Sequence, residues 1–367
     1  MPELRRDPIV GRWVIIAAER GQRPTDFAPE RVEAGGGPCP FCPGSEDRTP
    51  PEVYAERPEG GDADGSGWIV RVVSNKFPAL QIEGQPDRRA EGIYDKMNGL
   101  GAHEVVIETP EHGTELALVP LEQVSAVARA YRARIIDLTL DRRFRYIQIF
   151  KNHGAPAGAT LEHSHTQLIA TPIVPRRVDE EIKGFAQHYE LKERCILCDV
   201  IHQEIDSQRR VVSESEHFVA VVPFAARFPY EVWVMPKFHG AAFEHLTDDQ
   251  IDAFAQIFRE TLQRIHATLD GPPYNFVLHT APVNDPKGPH QYHWHFEIMP
   301  KVTKVAGFRV RNWLLHPIRG SGRRSAPLGP LTPRGIPVRP AYSRSPPRDS
   351  WRLARWPEAC RALCPAE

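Results

Sequence analysis

The sequence predicts an α+β fold in which one plan, mostly antiparallel strands with packed helices, is used twice along the chain. Three observations carry that prediction. Short apolar or alternating runs bounded by glycine and proline, the mark of strands, recur through residues 1–308. Two longer stretches, 121–138 and 248–269, instead carry apolar residues at helical spacing. A Cys-x-x-Cys pair, a single histidine and a His-x-His pair then occur in that order twice: Cys39, Cys42, His112, His163 and His165, and again Cys195, Cys198, His239, His293 and His295. His112 and His163 are 51 residues apart and His239 and His293 are 54 apart, the agreement expected of a duplicated unit. The halves are therefore set at 1–175 and 176–308, joined near 176–194, with a compositionally different tail at 309–367.

At 367 residues the chain can bury a sizeable core, as two domains or as one with a duplicated unit. Its 41% hydrophobic and 25% charged residues suit a soluble globular protein. No apolar run is long enough for a membrane helix, and the start, with Arg5, Arg6 and Asp7, lacks the apolar core of a signal peptide. A cytoplasmic location without a membrane partner is the expectation. In a reducing compartment the cysteine pairs are more often metal ligands or redox sites than disulfides. The formal net charge of -1 hides an asymmetry: residues 309–367 hold 12 Arg, no Lys and 3 acids, leaving 34 basic against 44 acidic groups elsewhere. An acidic body does not suit nucleic-acid binding.

In chain order, Pro8 to Gly11 form a turn before a strand at 13–17, followed by Arg20 and Arg23. Cys39-Pro-Phe-Cys42-Pro-Gly is a stiff knuckle. A redox pair would start a helix at its first cysteine, which Pro43 and Gly44 oppose, so metal binding is the better reading. A strand at 68–73 runs into 74–79, which holds Asn75 and Phe77, and the next strand, 103–108, leads to a turn at 109–113 with His112. Strands at 146–150 and 168–170 bracket the stretch from Asn152 to Gln167, whose loop is expected at a sheet edge. Gly154 and Gly158 would let loop amides approach an anion, and no acid precedes Glu162. His163, His165 and Gln167 alternate, so a strand would put them on one face. Such a pair could be catalytic, metal-ligating or simply buried in a core. In the second half Cys195-Ile-Leu-Cys198 precedes strands at 219–223 and 230–235, then His239, the helix, a strand at 274–279 and His293-Trp-His295.

The order Asn152, glycine loop, His163-x-His165-x-Gln167 resembles the galactose-1-phosphate uridylyltransferase family of the histidine-triad superfamily, as do Arg20-x-x-Arg23-Pro24 and both cysteine pairs. The resemblance covers about residues 1–308 and implies two histidine-triad-like halves. It further implies two structural zinc sites, Cys39, Cys42, His112 and His163 in the first half and Cys195, Cys198, His239 and His293 in the second. Arg20 and Arg23 would lie near the nucleotide phosphates, and Asn75 and Phe77 against the nucleoside. Asn152, Gly158 and Thr160 would also bind substrate. His163 then holds metal while His165 carries the nucleotidyl group, with His295 its counterpart in the second half. Gln167 has no such counterpart, because Glu297 stands there. His103 competes with His112 as the third ligand.

The implied activity is UDP-glucose:hexose-1-phosphate uridylyltransferase, with UDP-glucose and galactose 1-phosphate as substrates and often a homodimer as the assembly. The alternatives are a nucleoside-diphosphate-sugar phosphorylase that uses phosphate as acceptor, and a non-catalytic zinc-stabilised nucleotide-binding protein. The chemistry suits histidine: a neutral imidazole is nucleophilic near pH 7, and its phosphoramidate is labile enough to pass the group on. His165 would be held by a backbone carbonyl at its other ring nitrogen. Gln167, Thr160 and loop amides would bind the phosphoryl oxygens.

Members of the family continue beyond a Gly-Phe such as Gly307-Phe308 with Glu and a Gly-Thr-Gly-aromatic stretch that helps hold the sugar, whereas here Arg309 follows. Residues 309–316 can be encoded CGA GTG CGG AAC TGG CTT CTA CAT, which one nucleotide later reads Glu-Cys-Gly-Thr-Gly-Phe-Tyr. With ten prolines and no lysine, the tail fits a GC-rich gene read out of frame better than a native disordered tail, and Cys360 and Cys364 should bind no metal.

Overall fold

The computed structural model describes residues 3–11, 13–16, 39–285, 291–302 and 315–316. Arg20, Arg23, Cys360, Cys364 and most of the tail lie outside the described residues. In chain order the strands and α-helices are β1 (Glu3–Arg6), β2 (Trp13–Ile16), β3 (Glu52–Glu56), β4 (Val70–Ser74), β5 (Arg89–Glu91), β6 (Tyr94–Lys96), β7 (Ala102–Ile107), α1 (Leu121–Thr139), β8 (Tyr146–His153) and β9 (His165–Thr171). They continue with α2 (Arg176–Lys192), α3 (Ile196–Ser207), β10 (Val211–Glu214), β11 (Phe218–Val221), β12 (Val232–Pro236), α4 (Asp248–Leu269), β13 (Tyr274–His279), β14 (His295–Pro300) and β15 (Leu315–His316). β1 and β2 pair antiparallel, and β15 adds in parallel along β2.

Ten strands form one antiparallel sheet in the order β10-β11-β12-β14-β13-β8-β9-β7-β4-β3. Read outward from the middle, β8-β9-β7-β4-β3 and β13-β14-β12-β11-β10 repeat the same sequence of connections. The duplicated motifs thus correspond to a duplicated topology, and the β8–β13 pairing, with Asn152 opposite Asn275, joins the two halves into one sheet. The loop expected at a sheet edge therefore lies elsewhere. β8 and β9 are central, and the loop projects from their ends rather than from an edge.

Alternation along the strands assigns the two faces. Phe218 and Ala220 on β11, Val232 and Val234 on β12, and Leu168 and Ala170 on β9 enter a large core with α1 and α4. α1 covers it with Val124, Val127, Tyr131, Ile135 and Leu138, spaced at three and four residues. α4 does the same with Ile251, Phe254, Phe258, Leu262 and Ile265, and starts in a Thr247/Gln250 capping box whose loss costs about 1 kcal/mol. The opposite face of the second half, Val219, Val221, Trp233 and Met235, is covered by α2 and α3 through Phe185, Ile196, Leu197 and Ile201. Helices therefore cover both faces of the second half. In the first half the same face carries only a small cluster of Phe41, Trp68, Val73, Val105 and Ile107. This more open face carries His165 and Gln167.

Candidate active site and metal centres

His163 precedes β9 and His165 begins it, with Ile107 of β7 opposite His165 and Val105 opposite Gln167. A buried polar network fixes this segment from the helix side. Lys151 Nζ pairs with Glu108 and donates to the His165 carbonyl at 2.9 Å and to Ser164 Oγ at 3.1 Å. Glu108 also accepts from Ser164 (2.6 Å), from Tyr131 (3.2 Å) and from Thr166. Burial opposes its ionisation, yet Lys151 and these donors hold the carboxyl below the usual range. A fully buried pair with this many donors is costly to disturb by removing either partner, so the backbone on both sides of His165 is held in one position.

Nδ1 of His165 lies 2.8 Å from the His163 carbonyl oxygen. Since a carbonyl can only accept, the proton is on Nδ1 and Nε2 keeps its lone pair. Burial, then the Lys151 charge, pushes the imidazole pKa below its ordinary value. The group is neutral at pH 7 and becomes protonated only at lower pH. A reaction that needs the neutral ring is expected to lose rate toward acid with a limb centred below about 6.5, the ordinary histidine value. Rapid-quench measurement of covalent labelling against pH checks this; an acid limb centred above 6.5 would contradict it.

The other proposed ligands converge. Sulfur and nitrogen donors of Cys39, Cys42, His112 and His163 all lie within 4.8 Å of one another, as do those of Cys195, Cys198, His239 and His293. In the first set Cys39 and Cys42 Sγ are each 3.7 Å from His163 Nδ1, and Cys42 Sγ is 3.4 Å from His112 Nδ1. In the second, Cys195 and Cys198 Sγ lie 3.7 and 3.6 Å from His293 Nδ1, and Cys198 Sγ 3.6 Å from His239 Nδ1. A tetrahedral zinc, with Zn–S of about 2.3 Å and Zn–N of about 2.0–2.1 Å, separates sulfur from nitrogen by about 3.5 Å, so both donor sets fit such an ion. The far nitrogens agree: His163 Nε2 meets the Thr109 carbonyl at 2.7 Å and His293 Nε2 the Pro236 carbonyl at 3.0 Å, leaving each Nδ1 for metal. Burial works against the Cys195 thiolate, but hydrogen bonds from Cys198, His239 and His293 bring its pKa down to about 2.

The loop is built differently from its expectation. Gly154 (φ +78°) and Gly158 (φ +95°) flank a 3-10 turn at Ala155–Ala157, and an added Cβ on Gly154 would come 3.1 Å from Pro273 Cβ. The amides of Ala157 and Ala159 donate to Gly154 O, and that of Gly158 to Ala155 O. These three amides are used within the loop. Thr160 is exposed. Asn152 Oδ1 accepts from Asn275 at 2.8 Å, Asn75 is half-buried, and Phe77 is 84% exposed.

The second copy is closed. His295 repeats the His165 arrangement, with Nδ1 3.2 Å from the His293 carbonyl oxygen, but its Nε2 is buried without a hydrogen-bond partner. Its ring stacks on His279, with centroids 4.8 Å apart. His279 bonds Glu181 at 2.8 Å and lies 3.3 Å from Glu297, which pairs with Arg227. Against the effect of burial, Glu181 and Glu297 raise His279 to about 9, while burial and His279 lower His295 to about 4. Sequence reasoning missed this ion-paired cluster, although Glu297 in the place of glutamine was its one visible sign.

Residues 1–175 match the galactose-1-phosphate uridyl transferase N-terminal domain and residues 181–312 the C-terminal domain of the same family. The chain belongs to the galactose-1-phosphate uridyl transferase family. This is a family of nucleotidyl-transferring enzymes that act on nucleotide sugars and sugar phosphates. An ADP-glucose phosphorylase of Arabidopsis thaliana is 38% identical over 315 residues, covering 84% of this chain and 87% of that protein. A galactose-1-phosphate uridylyltransferase of Thermotoga maritima is 32% identical over 321 residues, covering 85% and 93%. Among solved structures, the Arabidopsis ADP-glucose phosphorylase with bound ADP-glucose superposes with a TM-score of 0.73 at 36% identity, over 87% of this chain and 96% of that one. Among the described residues no helix is long and apolar enough to cross a membrane.

Proposed function

We propose that this chain is a UDP-glucose:hexose-1-phosphate uridylyltransferase working through a covalent nucleotidyl-His165. The observation that carries the reading is the hydrogen bond from His165 Nδ1 to the His163 carbonyl, which leaves Nε2 with a free lone pair on the open face. Nε2 attacks the α-phosphorus of UDP-glucose, the bond to the bridging oxygen breaks, and glucose 1-phosphate leaves. A phosphate oxygen of the hexose 1-phosphate then attacks the same phosphorus, the N–P bond breaks, and UDP-hexose is released with His165 restored. Gln167 and Thr160 would donate to the phosphoryl oxygens. Asn75, Phe77, Asn152 and the Gly158 turn would bound the nucleotide, with Arg20 and Arg23 near the phosphates. Zinc is the metal we assign to both Cys-x-x-Cys/His/His sets, as thiolate with imidazole favours it in tetrahedral sites, and its role would be structural. A homodimer in the cytoplasm completes the reading.

A second reading, a nucleoside-diphosphate-sugar phosphorylase, is favoured by the higher identity to the plant ADP-glucose phosphorylase, 38% against 32% for the bacterial uridylyltransferase. Glucose 1-phosphate release from UDP-glucose and from ADP-glucose, with galactose 1-phosphate, with phosphate and with neither, separates the two. Turnover dependent on galactose 1-phosphate supports the transferase, turnover dependent on phosphate supports the phosphorylase, and no release or adduct from either donor leaves a nucleotide-binding protein.

We also propose that the chain beyond residue 308 is translated out of frame, a reading supported by the end of the domain match at residue 312 and by the codon relation at Arg309. Hexose 1-phosphate transfer is then expected to be weak in the chain as written, and to rise when a chain carrying Glu-Cys-Gly-Thr-Gly-Phe-Tyr from position 309 is assayed. Resequencing the gene at that codon checks it directly; an undisturbed frame would end the proposal.

A further inference from the structure

Only the NH2 end of the Gln167 amide can donate to a phosphoryl oxygen, so the orientation of that amide matters to any transfer at His165. Its neighbour sets the orientation. Gln167 Oε1 lies 2.9 Å from Nε2 of His103, which stands on β7 two residues before Val105, the residue opposite Gln167, and so on the same face. The backbone N–H of Ala79 donates to Nδ1 of His103 at 3.1 Å. A backbone amide cannot accept, so Nδ1 is unprotonated and the proton of the neutral ring is on Nε2. Nε2–H therefore donates to Gln167 Oε1 and turns the NH2 end away from His103. That NH2 finds no acceptor among the described residues. Asn75 is tied to the same histidine: its backbone N–H donates to the His103 carbonyl at 2.8 Å and its Oδ1 accepts from the Phe77 N–H at 2.9 Å. Its Nδ2 lies 3.1 Å from His103 Nε2, and with the proton on Nε2 both atoms are donors, so no hydrogen bond joins them.

We propose that His103 is a positioning residue: anchored by the Ala79 amide, it locks the Gln167 amide with its hydrogens free for the phosphoryl group and sets Asn75 beside it. This rests on the reading of Gln167 as a phosphoryl contact under the proposed function. It makes His103 a link between the 75–79 segment, where the nucleoside is expected, and the transfer site.

The test uses the full chain with zinc content and circular dichroism matched across variants. With selectively 15N-labelled histidine, His103 is expected as the Nε2–H tautomer; the Nδ1–H tautomer overturns the proposal. In rapid-quench labelling by UDP-glucose or ADP-glucose, His103→Ala should slow adduct formation by about tenfold, the scale of losing a supporting hydrogen bond. His103→Gln, which can donate from a similar position, should recover most of that loss. The double variant with Gln167→Ala should be no slower than Gln167→Ala alone, since both substitutions remove one function. A labelling rate for His103→Ala within twofold of wild type, or losses that multiply in the double variant, would overturn the proposal. If the unsubstituted chain forms no adduct at His165, the proposed function falls instead. The tautomer, and the shift of the Gln167 side-chain amide signal in His103→Ala, then still decide whether His103 orients it.

Discussion

His165→Gly is expected to abolish nucleotidyl transfer while leaving the fold and metal content unchanged. The side chain removed is the only part of the site proposed to form a bond to phosphorus. Losses of a covalent nucleophile commonly reach about 10⁴-fold to 10⁶-fold, because the remaining groups can bind a substrate but cannot divide its reaction into two steps. The fold should tolerate the change. His165 contributes a ring contact to Phe41, centroids 5.6 Å apart, and a hydrogen bond to its own near neighbour's carbonyl, whereas the segment is held by Lys151, Glu108, Ser164 and Thr166. His163, the proposed ligand two residues away, keeps its bond to the Thr109 carbonyl. Mass spectrometry of the chain after incubation with a nucleotide sugar, with the modified peptide sequenced, is the measurement. Mapping of the adduct to His295 would contradict the assignment, and the burial of His295 Nε2 beside His279 is the reason it is not expected.

The parts of this arrangement readable from sequence were those with strong local patterns. α4 spans the 248–269 expected and α1 exceeds its expected span by one residue, because both are long and carry one continuous apolar face. Both donor sets were visible because cysteine and histidine at repeated spacing are rare, and the carbonyl expected behind His165 is His163's own. α2 was missed because its polar sequence buries only Val178, Glu181 and Phe185. α3 was missed because its first turn contains the Cys195–Cys198 motif, which was read for metal rather than for helix. The β8–β13 pairing joins strands more than a hundred residues apart, so no local pattern signals it, and the loop was misplaced at an edge as a result. From the sequence His103 stood out only as the competitor of His112 for the third ligand of the first metal set. Its importance lies in partners 24 and 64 residues away.

Loss of the two metal centres should have unequal consequences. Both sets fit zinc, for an expected two ions per chain by elemental analysis. In the second set Cys195, Cys198 and His293 are buried, whereas in the first Cys39 and Cys42 are half-buried and His112 is exposed. Water and chelator therefore reach the first centre more readily, and a limiting dose of a chelator is expected to remove that ion first. Cys195→Ser with Cys198→Ser leaves His239 and His293 without the ion that would join α3 to the end of β12 and the start of β14, so its cost in stability should exceed about 4 kcal/mol. Cys39→Ser with Cys42→Ser should cost less stability but more activity. His163 is both a proposed ligand of that centre and the residue whose carbonyl holds His165 Nδ1, so a mobile His163 would loosen the proposed nucleophile itself. Chelator-titrated zinc release, denaturant unfolding and adduct formation measured on the same three chains test this. A single ion per chain that survives Cys195→Ser with Cys198→Ser would eliminate the second centre. Equal losses of labelling rate in the two double variants would remove the coupling of the first centre to His165.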